Sequence, residues 1–233
     1  MEPLVLNSAV DWILFLLVCL GIVSFAVSGT IIAIQKKTDP VGAIIFAFVT
    51  AFGGGLIRDI IIGRNPPALL STVEYAIYAA ICLVVSVALF LLAFVGKTAT
   101  YLTGHIHNRL LEGSDSLGLA LFCVLGVDSV IEFYAKASMA PAHPAVLIFG
   151  GCITGIGGGI LRDIFSAQIP SIFRKHVYLI PALLGSTCYV FLLPYIPRLA
   201  AILISVSIIL VIRILAMRFR WDLPTPLDYK KDK

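Results

Sequence analysis

The sequence contains AFGGGLIRD at residues 51–59, and the same pattern returns as GIGGGILRD at residues 155–163. Each copy places three glycines within an apolar segment and follows them with an adjacent Arg-Asp pair. A glycine inside a helix costs about 1 kcal/mol relative to alanine, so three in succession favour a broken helix. Ionisable residues at membrane depth are costly and by default mark a functional site. Two such segments at matching positions of a duplicated chain indicate a membrane transport pathway.

The composition is that of an all-α, polytopic membrane protein. The chain has 233 residues, of which 60% are hydrophobic and 13% are charged, and its mean hydropathy is +1.03. Soluble domains carry about 25% charged residues, and one water-soluble core cannot bury so much apolar surface. The net charge of +4 does not indicate nucleic-acid binding, because the basic residues are spread over loops and the tail.

Seven apolar stretches of about 20 residues predict seven transmembrane helices. They lie roughly at residues 12–34, 41–62, 74–96, 116–135, 143–166, 177–195 and 199–217. The glycine triplets fall in the second and fifth helices, which we expect to be broken there. The connection from about residue 96 to residue 115 is long enough for a small surface element.

The duplication extends beyond the glycines. Adding 104 to a residue number maps Pro40 onto Pro144 and the first motif onto the second. An offset of 103 maps Tyr75 onto Tyr178. Because each copy has three helices, an odd number, the second copy is expected to be inverted relative to the membrane. The predicted units are a first repeat at 10–96, a second, inverted repeat at 116–195, the seventh helix at 199–217 and a basic cytoplasmic tail at 218–233.

Loop charges predict the orientation of the chain. With the N-terminus outside, eleven of the 17 lysines and arginines lie in inside loops or the tail and three lie outside. The other three, Arg58, Arg162 and Arg213, lie at membrane depth. We therefore expect an integral membrane protein, best suited to a bacterial inner membrane, with the N-terminus outside and the C-terminus cytoplasmic.

The glycine triplets are the first candidates for a pore lining. At a broken helix, free carbonyls replace part of the hydration shell of a cation, so transient cation contacts are expected there. Packing is the alternative, since small residues let helices approach closely. Hydroxyls are further candidates, although each can instead bond to its own helix. The candidate glycines and hydroxyls are Gly53, Gly54, Gly55, Gly157, Gly158, Gly159, Ser28, Thr30 and Thr50.

The Arg-Asp pairs have both a structural and a functional interpretation. Neighbours on a helix point about 100° apart, so Arg58 and Arg162 are expected to find partners other than Asp59 and Asp163. The aspartate of the other repeat is one such partner. An arginine beside the pathway would instead lower its cation occupancy.

The remaining polar residues at membrane depth have similar alternatives. Asp128 and Glu132 share one face of the fourth helix, where they attract cations or form the wall of an aqueous vestibule. Arg213 is expected to extend toward the inside surface. His105 and His107 have no other ligands nearby in sequence, so we expect no metal site at these histidines. The only metal contacts expected are the transient cation contacts at the glycine triplets.

No phosphate loop, GxSxG or HExxH motif is present, and we expect neither an enzyme nor a cofactor.

Two three-helix repeats, each with a GGGxxRD motif in its second helix, and a seventh helix resemble the bacterial trimeric intracellular cation channels. The resemblance covers residues from about 10 to 217. It implies a homotrimer in which each protomer has its own pore for potassium and sodium, lined by Gly53–Gly55 and Gly157–Gly159. The implied partners are monovalent cations, further copies of the chain and membrane lipid, without nucleic acid. The same repeat is also named a glycine transporter domain, so a secondary transporter of glycine or another small solute is the alternative.

Overall fold

The computed structural model describes residues 8–71, 73–95, 105–174, 178–219 and 221, and every regular element in these ranges is a helix. Residues 220 and 222–233 of the predicted tail and the side chains of His105 and His107 lie outside the described part. The helices are Ala9–Gln35 (α1), Pro40–Ile61 (α2), Ala68–Ser71 (α3), Val73–Val95 (α4), His105–Lys136 (α5), Pro144–Phe165 (α6), Ser171–Arg174 (α7), Leu179–Leu192 (α8) and Arg198–Phe219 (α9).

Six of these helices are apolar and long enough to cross a membrane, namely α1, α2, α4, α5 from residue 109 onward, α6 and α9. Helix α8 has only 14 residues, about 21 Å at 1.5 Å per residue, which is shorter than a hydrocarbon core of about 30 Å. The helix predicted at 177–195 is thus shorter than expected. It ends at Leu192, because Pro194 has no N–H group with which to continue the helical hydrogen bonds.

Helix α5 is longer than predicted and includes the second half of the connection in which a surface element was expected; the first half, residues 96–104, lies outside the described residues. It begins at His105 instead of residue 116, so Asp115 lies within the helix and is only 4% exposed. A buried carboxylate is stable only with partners, and Asp115 lies 2.7 Å from an arginine of α6. The hydropathy pattern placed Asp115 in a loop, because the arginine that makes its burial possible belongs to a helix distant in sequence.

Helices α2 and α6 have the same length and the same type of N-terminus. Each has 22 residues and starts with proline at the first helical position, where proline has no hydrogen bond to lose. Asp39 caps α2 by accepting from the Gly42 amide at 2.7 Å, and His143 caps α6 by accepting from the Ala145 amide at 3.2 Å. The two glycine triplets therefore occupy equivalent positions in two equivalent helices.

The prediction that these helices break at the triplets is wrong for this structure, because both helices are continuous through them. The glycines instead let the two backbones touch. A Cβ atom on Gly54 would lie 2.1 Å from the carbonyl oxygen of Thr154, and one on Gly158 would lie 1.9 Å from that of Thr50. These two contacts are related by the offset of 104. Close packing outweighs the helix penalty of glycine here, and we call this contact the glycine crossing.

Two main apolar cores lie among the described residues, one mostly from each half of the chain, although Phe122 of α5 belongs to the first. One core contains Phe25, Phe52 and Tyr78 from α1, α2 and α4, and the other is built from α5, α6, α8 and α9. Helix α5 packs against both α1 and α6, while the α2–α6 contact joins the halves directly. The glycine crossing is therefore at the centre of the molecule.

Gly54→Ala and Gly158→Ala should each destabilise the protein, since the added methyl overlaps a backbone carbonyl that moves only if a helix moves. Overpacking of this kind costs about 1–3 kcal/mol. Gly55→Ala is the matched control, because the nearest atom to its Cβ, Nη2 of Arg58, lies 3.9 Å away. Thermal unfolding in detergent measures the difference. Equal stability of the Gly158→Ala and Gly55→Ala variants would contradict the glycine crossing.

Candidate functional site

A cavity of about 340 Å³ opens at the end of the helix bundle where α1 begins. We call this end the first end and the cavity the wide cavity. The end of α2, the start of α4, the end of α5 and the start of α9 also contribute to it. Its glycine and polar lining includes Asp11, Gly55, Arg58, Asp59, Arg64, Glu74, Tyr75, Tyr78, Gly126, Asp128, Ser129, Glu132, Lys136, Thr154 and Arg198.

Arg58 lies at the deep end of the wide cavity and is 3% exposed. Its Nε and Nη2 atoms donate to Oδ1 of Asp59 at 2.9 and 2.7 Å. The other carboxylate oxygen of Asp59 accepts from the amide of Ala68, the first residue of α3, at 2.8 Å. Nη1 of Arg58 donates to the Thr154 hydroxyl of α6 at 3.4 Å. Because Thr154 also forms the glycine crossing, the cavity reaches the contact between the two halves.

The second motif has the same internal geometry. Arg162 donates from Nε to Oδ1 of Asp163 at 2.9 Å, and Asp163 accepts from the amide of Ser171, the first residue of α7, at 2.7 Å. Arg162 has two additional partners, because its Nη1 donates to Oδ1 of Asp115 at 2.7 Å and to the hydroxyl of Ser28. This second copy thus carries one more carboxylate than the first.

Each arginine pairs with its own neighbour, contrary to prediction, but Arg162 also has a partner elsewhere, Asp115 of α5, as predicted. Arg58 and Arg162 both pair with the adjacent aspartate, because the long arginine side chain with its fork of donors spans the angle between neighbours. The backbone amide at the start of the next short helix holds each aspartate in place. The halves are connected instead by hydrogen bonds from these arginines to the hydroxyls of Thr154 and Ser28.

Arg213 is buried as well, and the prediction that it extends to the inside surface is wrong. It is 4% exposed, donates from Nε to the Ser116 hydroxyl at 3.1 Å and places Nη2 3.9 Å from Oδ2 of Asp115. Its guanidinium carbon lies 4.5 Å from the ring centroid of Tyr178, a cation–π distance. A carboxylate and an aromatic face inside the protein replace water for this side chain.

We call Asp115, Arg162, Asp163 and Arg213 the buried ion cluster. It lies at the second end of the bundle, where the pocket that Asp115, Arg162, Arg213 and Tyr178 border has a volume of only about 30 Å³, against about 340 Å³ for the wide cavity. The same position in the two motifs is therefore open at one end and filled at the other. A Cβ on Gly159 would meet the Tyr178 hydroxyl at 3.2 Å, whereas Gly55 borders the wide cavity.

The predicted pore hydroxyls all have partners within the protein. Thr50 donates to the carbonyl of Phe46, four residues back in its own helix, at 2.6 Å. Thr30 bonds to its own helix at 2.8 Å and contacts the Ser86 hydroxyl at 3.1 Å. Ser28 accepts from Arg162. A role for these hydroxyls in a pathway stays a prediction.

The predicted carboxylates Asp128 and Glu132 both line the wide cavity. Asp128 accepts from the Tyr189 hydroxyl at 2.8 Å and from Nε of Arg198 at 3.0 Å. Glu132 accepts from Nη2 of Arg198 at 2.9 Å. Both interpretations of these residues from sequence, attraction of cations and a wall of an aqueous vestibule, remain compatible with this position.

Sequence reasoning did not identify Asp115, Tyr178, Thr154 or Arg198 as site residues. Asp115 was hidden by the predicted helix boundary, which placed it in a loop. The available signal for Tyr178 is its match to Tyr75 at the offset of 103, and Thr154 likewise matches Thr50 at the offset of 104. No comparable signal exists for Arg198, whose partners belong to another helix.

The fold and the cavity define an integral membrane protein of the channel or transporter class. A protein-family model described as "Glycine transporter" matches residues 15–93 and 113–194. A "UPF0126 membrane protein" of Vibrio cholerae is 32% identical over 214 residues, which are 91% of this chain and 82% of the relative. The "UPF0126 inner membrane protein YadS" of Escherichia coli (strain K12) is 30% identical over 210 residues, 88% of this chain and 92% of the relative.

Solved structures give the same assignment. One, described under "conductance through TRIC cation channels", has 33% identity and a TM-score of 0.73, covering 90% of this chain and 95% of the other. The TRIC trimeric intracellular cation channel orthologue from Rhodobacter sphaeroides has 31% identity and a TM-score of 0.75, with coverages of 90% and 99%. The chain therefore belongs to the membrane-protein family that includes the UPF0126 relatives and matches the "Glycine transporter" model. The solved structures similar to it are described as TRIC cation channels, and the predicted resemblance is confirmed.

Asp59→Asn should destabilise the protein more than Asp163→Asn. The first change leaves the buried Arg58 without its paired carboxylate, whereas Arg162 retains Asp115. Removing one partner of a buried ion pair costs about 3–5 kcal/mol, and we expect a smaller loss at Asp163. Glu132→Gln is the control at a half-exposed pair, with a loss below about 1 kcal/mol. Denaturant or thermal unfolding ranks the three variants, and the reverse order for the two aspartates would contradict the assigned pairs.

Proposed function

We propose that the protein is a channel for monovalent cations, potassium and sodium, and that it acts as a homotrimer with one pore in each protomer. Support comes from the structures of TRIC cation channels that it resembles at 33% and 31% identity, one of which is described as trimeric. The relatives named as inner membrane proteins support a bacterial inner membrane as the location.

The wide cavity is the observation that carries the proposal. It extends from the first end of the bundle to Arg58 and Thr154, and Thr154 contacts Gly54 across the glycine crossing. A cavity with charged walls therefore ends where the duplicated motifs meet. A pore through the protomer would continue from this point between α2 and α6.

Two layers close this route in the present conformation. The first is the glycine crossing, where backbone atoms of α2 and α6 are in contact, and the second is the buried ion cluster. Conduction therefore requires α2 and α6 to shift at the crossing and the cluster to rearrange. Because both helices are continuous, their carbonyls accept intrahelical bonds, and the proposal includes no filter of free carbonyls.

We further infer that α8 is the short sixth of seven transmembrane helices, that the halves are inverted repeats and that the first end faces outward. The offset of 104 and the loop charges support this arrangement. Cysteines introduced at Lys37 and Lys136 should then be labelled by an impermeant reagent from opposite sides, with only position 136 reacting in intact cells. Labelling of both positions from one side would contradict the inverted repeat.

The function is tested on purified protein in a planar bilayer. We expect stepwise single-channel currents carried by potassium and sodium, and chemical cross-linking of the same preparation that stops at a trimer. Gly55→Ala should still form the trimer, while Gly158→Ala should lower the trimer yield. A stable preparation without unitary currents would contradict the channel, and a monomer in native-like lipid would contradict the homotrimer.

Transport of glycine or another small zwitterion is the second candidate, and the charge distribution of the wide cavity favours it. The cavity is large enough for a small solute, is closed at its deep end, and has acidic Asp11 and Glu74 as well as basic Arg64 and Lys136 in its walls. Saturable uptake of labelled glycine into proteoliposomes, without unitary currents, would establish this alternative in place of the channel.

A further inference from the structure

Arg198 forms an ion-pair group at the mouth of the wide cavity. Asp128 and Glu132 lie one turn apart near the end of α5, Arg198 is the first residue of α9, and all three line the cavity. The side chain of Asp128 is 10% exposed, that of Arg198 38% and that of Glu132 52%. Solvent exposure thus increases across the group, from the nearly buried Asp128 to the half-exposed Glu132.

One guanidinium serves both carboxylates. Nε of Arg198 lies 3.0 and 3.1 Å from the two oxygens of Asp128, and Nη2 contacts Oδ2 of Asp128 and lies 2.9 Å from Oε1 of Glu132. Two negative groups share one positive group, so the trio retains a formal charge of −1. The half-exposed Glu132 carries the part of that charge nearest to solvent.

The rest of the cavity wall is balanced. Its charged side chains are three carboxylates and three basic groups, so the whole lining, including the trio, has a formal charge of −1, and Arg58 is neutralised by Asp59. Removing the charge of Arg198 would therefore change the lining from −1 to −2. Charges on the walls of a cleft set the local concentration of mobile ions.

We propose that Arg198 limits the negative potential of the cavity mouth and thereby limits cation access to the pore. The proposal rests on the proposed function, because it assigns a role within cation conduction. Arg198 acts on the permeating ion through space, by cancelling part of the charge of Asp128 and Glu132. Glu132 acts in the opposite direction.

A purely structural role for Arg198 makes a different prediction. The same contacts tie α9 to α5, and through the bond between Asp128 and Tyr189 they also reach α8. If Arg198 only held these helices together, its loss would lower stability and current at every salt concentration. An electrostatic role instead gives an effect that screening removes, because the Debye length falls from about 30 Å in 0.01 M salt to about 3 Å in 1 M salt.

The test is the unitary potassium conductance of Arg198→Gln, Arg198→Lys and Glu132→Gln in planar bilayers at about 0.01 M and about 1 M KCl. One unit charge at about 10 Å in water changes a local cation concentration about twofold. Arg198→Gln should therefore raise the low-salt conductance about twofold, Glu132→Gln should lower it to a similar extent, and Arg198→Lys should leave it unchanged. All variants should converge with the wild type at high salt.

The outcomes separate this inference from the proposed function. An absence of unitary currents in the wild type would contradict the proposed function itself. Wild-type currents with an unchanged or lowered low-salt conductance in Arg198→Gln would overturn the role of Arg198 alone. If Arg198→Gln does not fold, Glu132→Gln decides, because it leaves the Arg198–Asp128 pair intact and removes only one negative charge. An unchanged conductance in Glu132→Gln at low salt would then overturn the proposal.

Discussion

The contact between the backbones of α2 and α6 is the constraint on which the rest of the structure depends. Gly54 and Gly158 have no space for a Cβ atom, since carbonyl oxygens lie about 2 Å from where it would be. Helices that approach this closely leave no room for side chains between them, so the polar groups of both motifs are placed above and below the crossing. Arg58 consequently faces the first end and Arg162 the second, each one turn beyond its glycine triplet.

The crossing also explains why each arginine pairs locally. An arginine held beside two touching backbones cannot reach the aspartate of the opposite motif, which lies on the other side of the contact. Its own neighbour is within reach, and the amide that begins the following short helix holds that aspartate in place. Each motif thus combines a close contact, a charge and the anchor of the next chain segment within nine residues. That combination gives a physical reason for the doubled pattern.

Much of the fold was predictable because apolar length and proline position are local properties. The stretches predicted at 41–62 and 143–166 correspond closely to α2 and α6, with Pro40 and Pro144 at their first positions. That the helices continue through the glycine triplets was not predictable from local properties. Three glycines disfavour a helix by a few kcal/mol from propensity alone, and only a partner helix that exploits the missing side chains reverses this preference. Partners on other helices also explain two wrong predictions, namely that Arg213 reaches the inside surface and that Asp115 lies in a loop.

The two motifs share the GGGxxRD pattern but not their surroundings, and the difference comes from residues outside them. At the first end, α3 and the start of α4 leave Gly55 beside open space, and Tyr75 lines the cavity wall. At the second end, the matching Tyr178 lies over Gly159, and Asp115 and Arg213 complete a filled, ion-paired layer. A duplicated protein with identical ends would be open or closed at both. The two ends differ because Tyr178, Asp115 and Arg213 fill the space beside the second motif, whereas the space beside the first motif is a cavity.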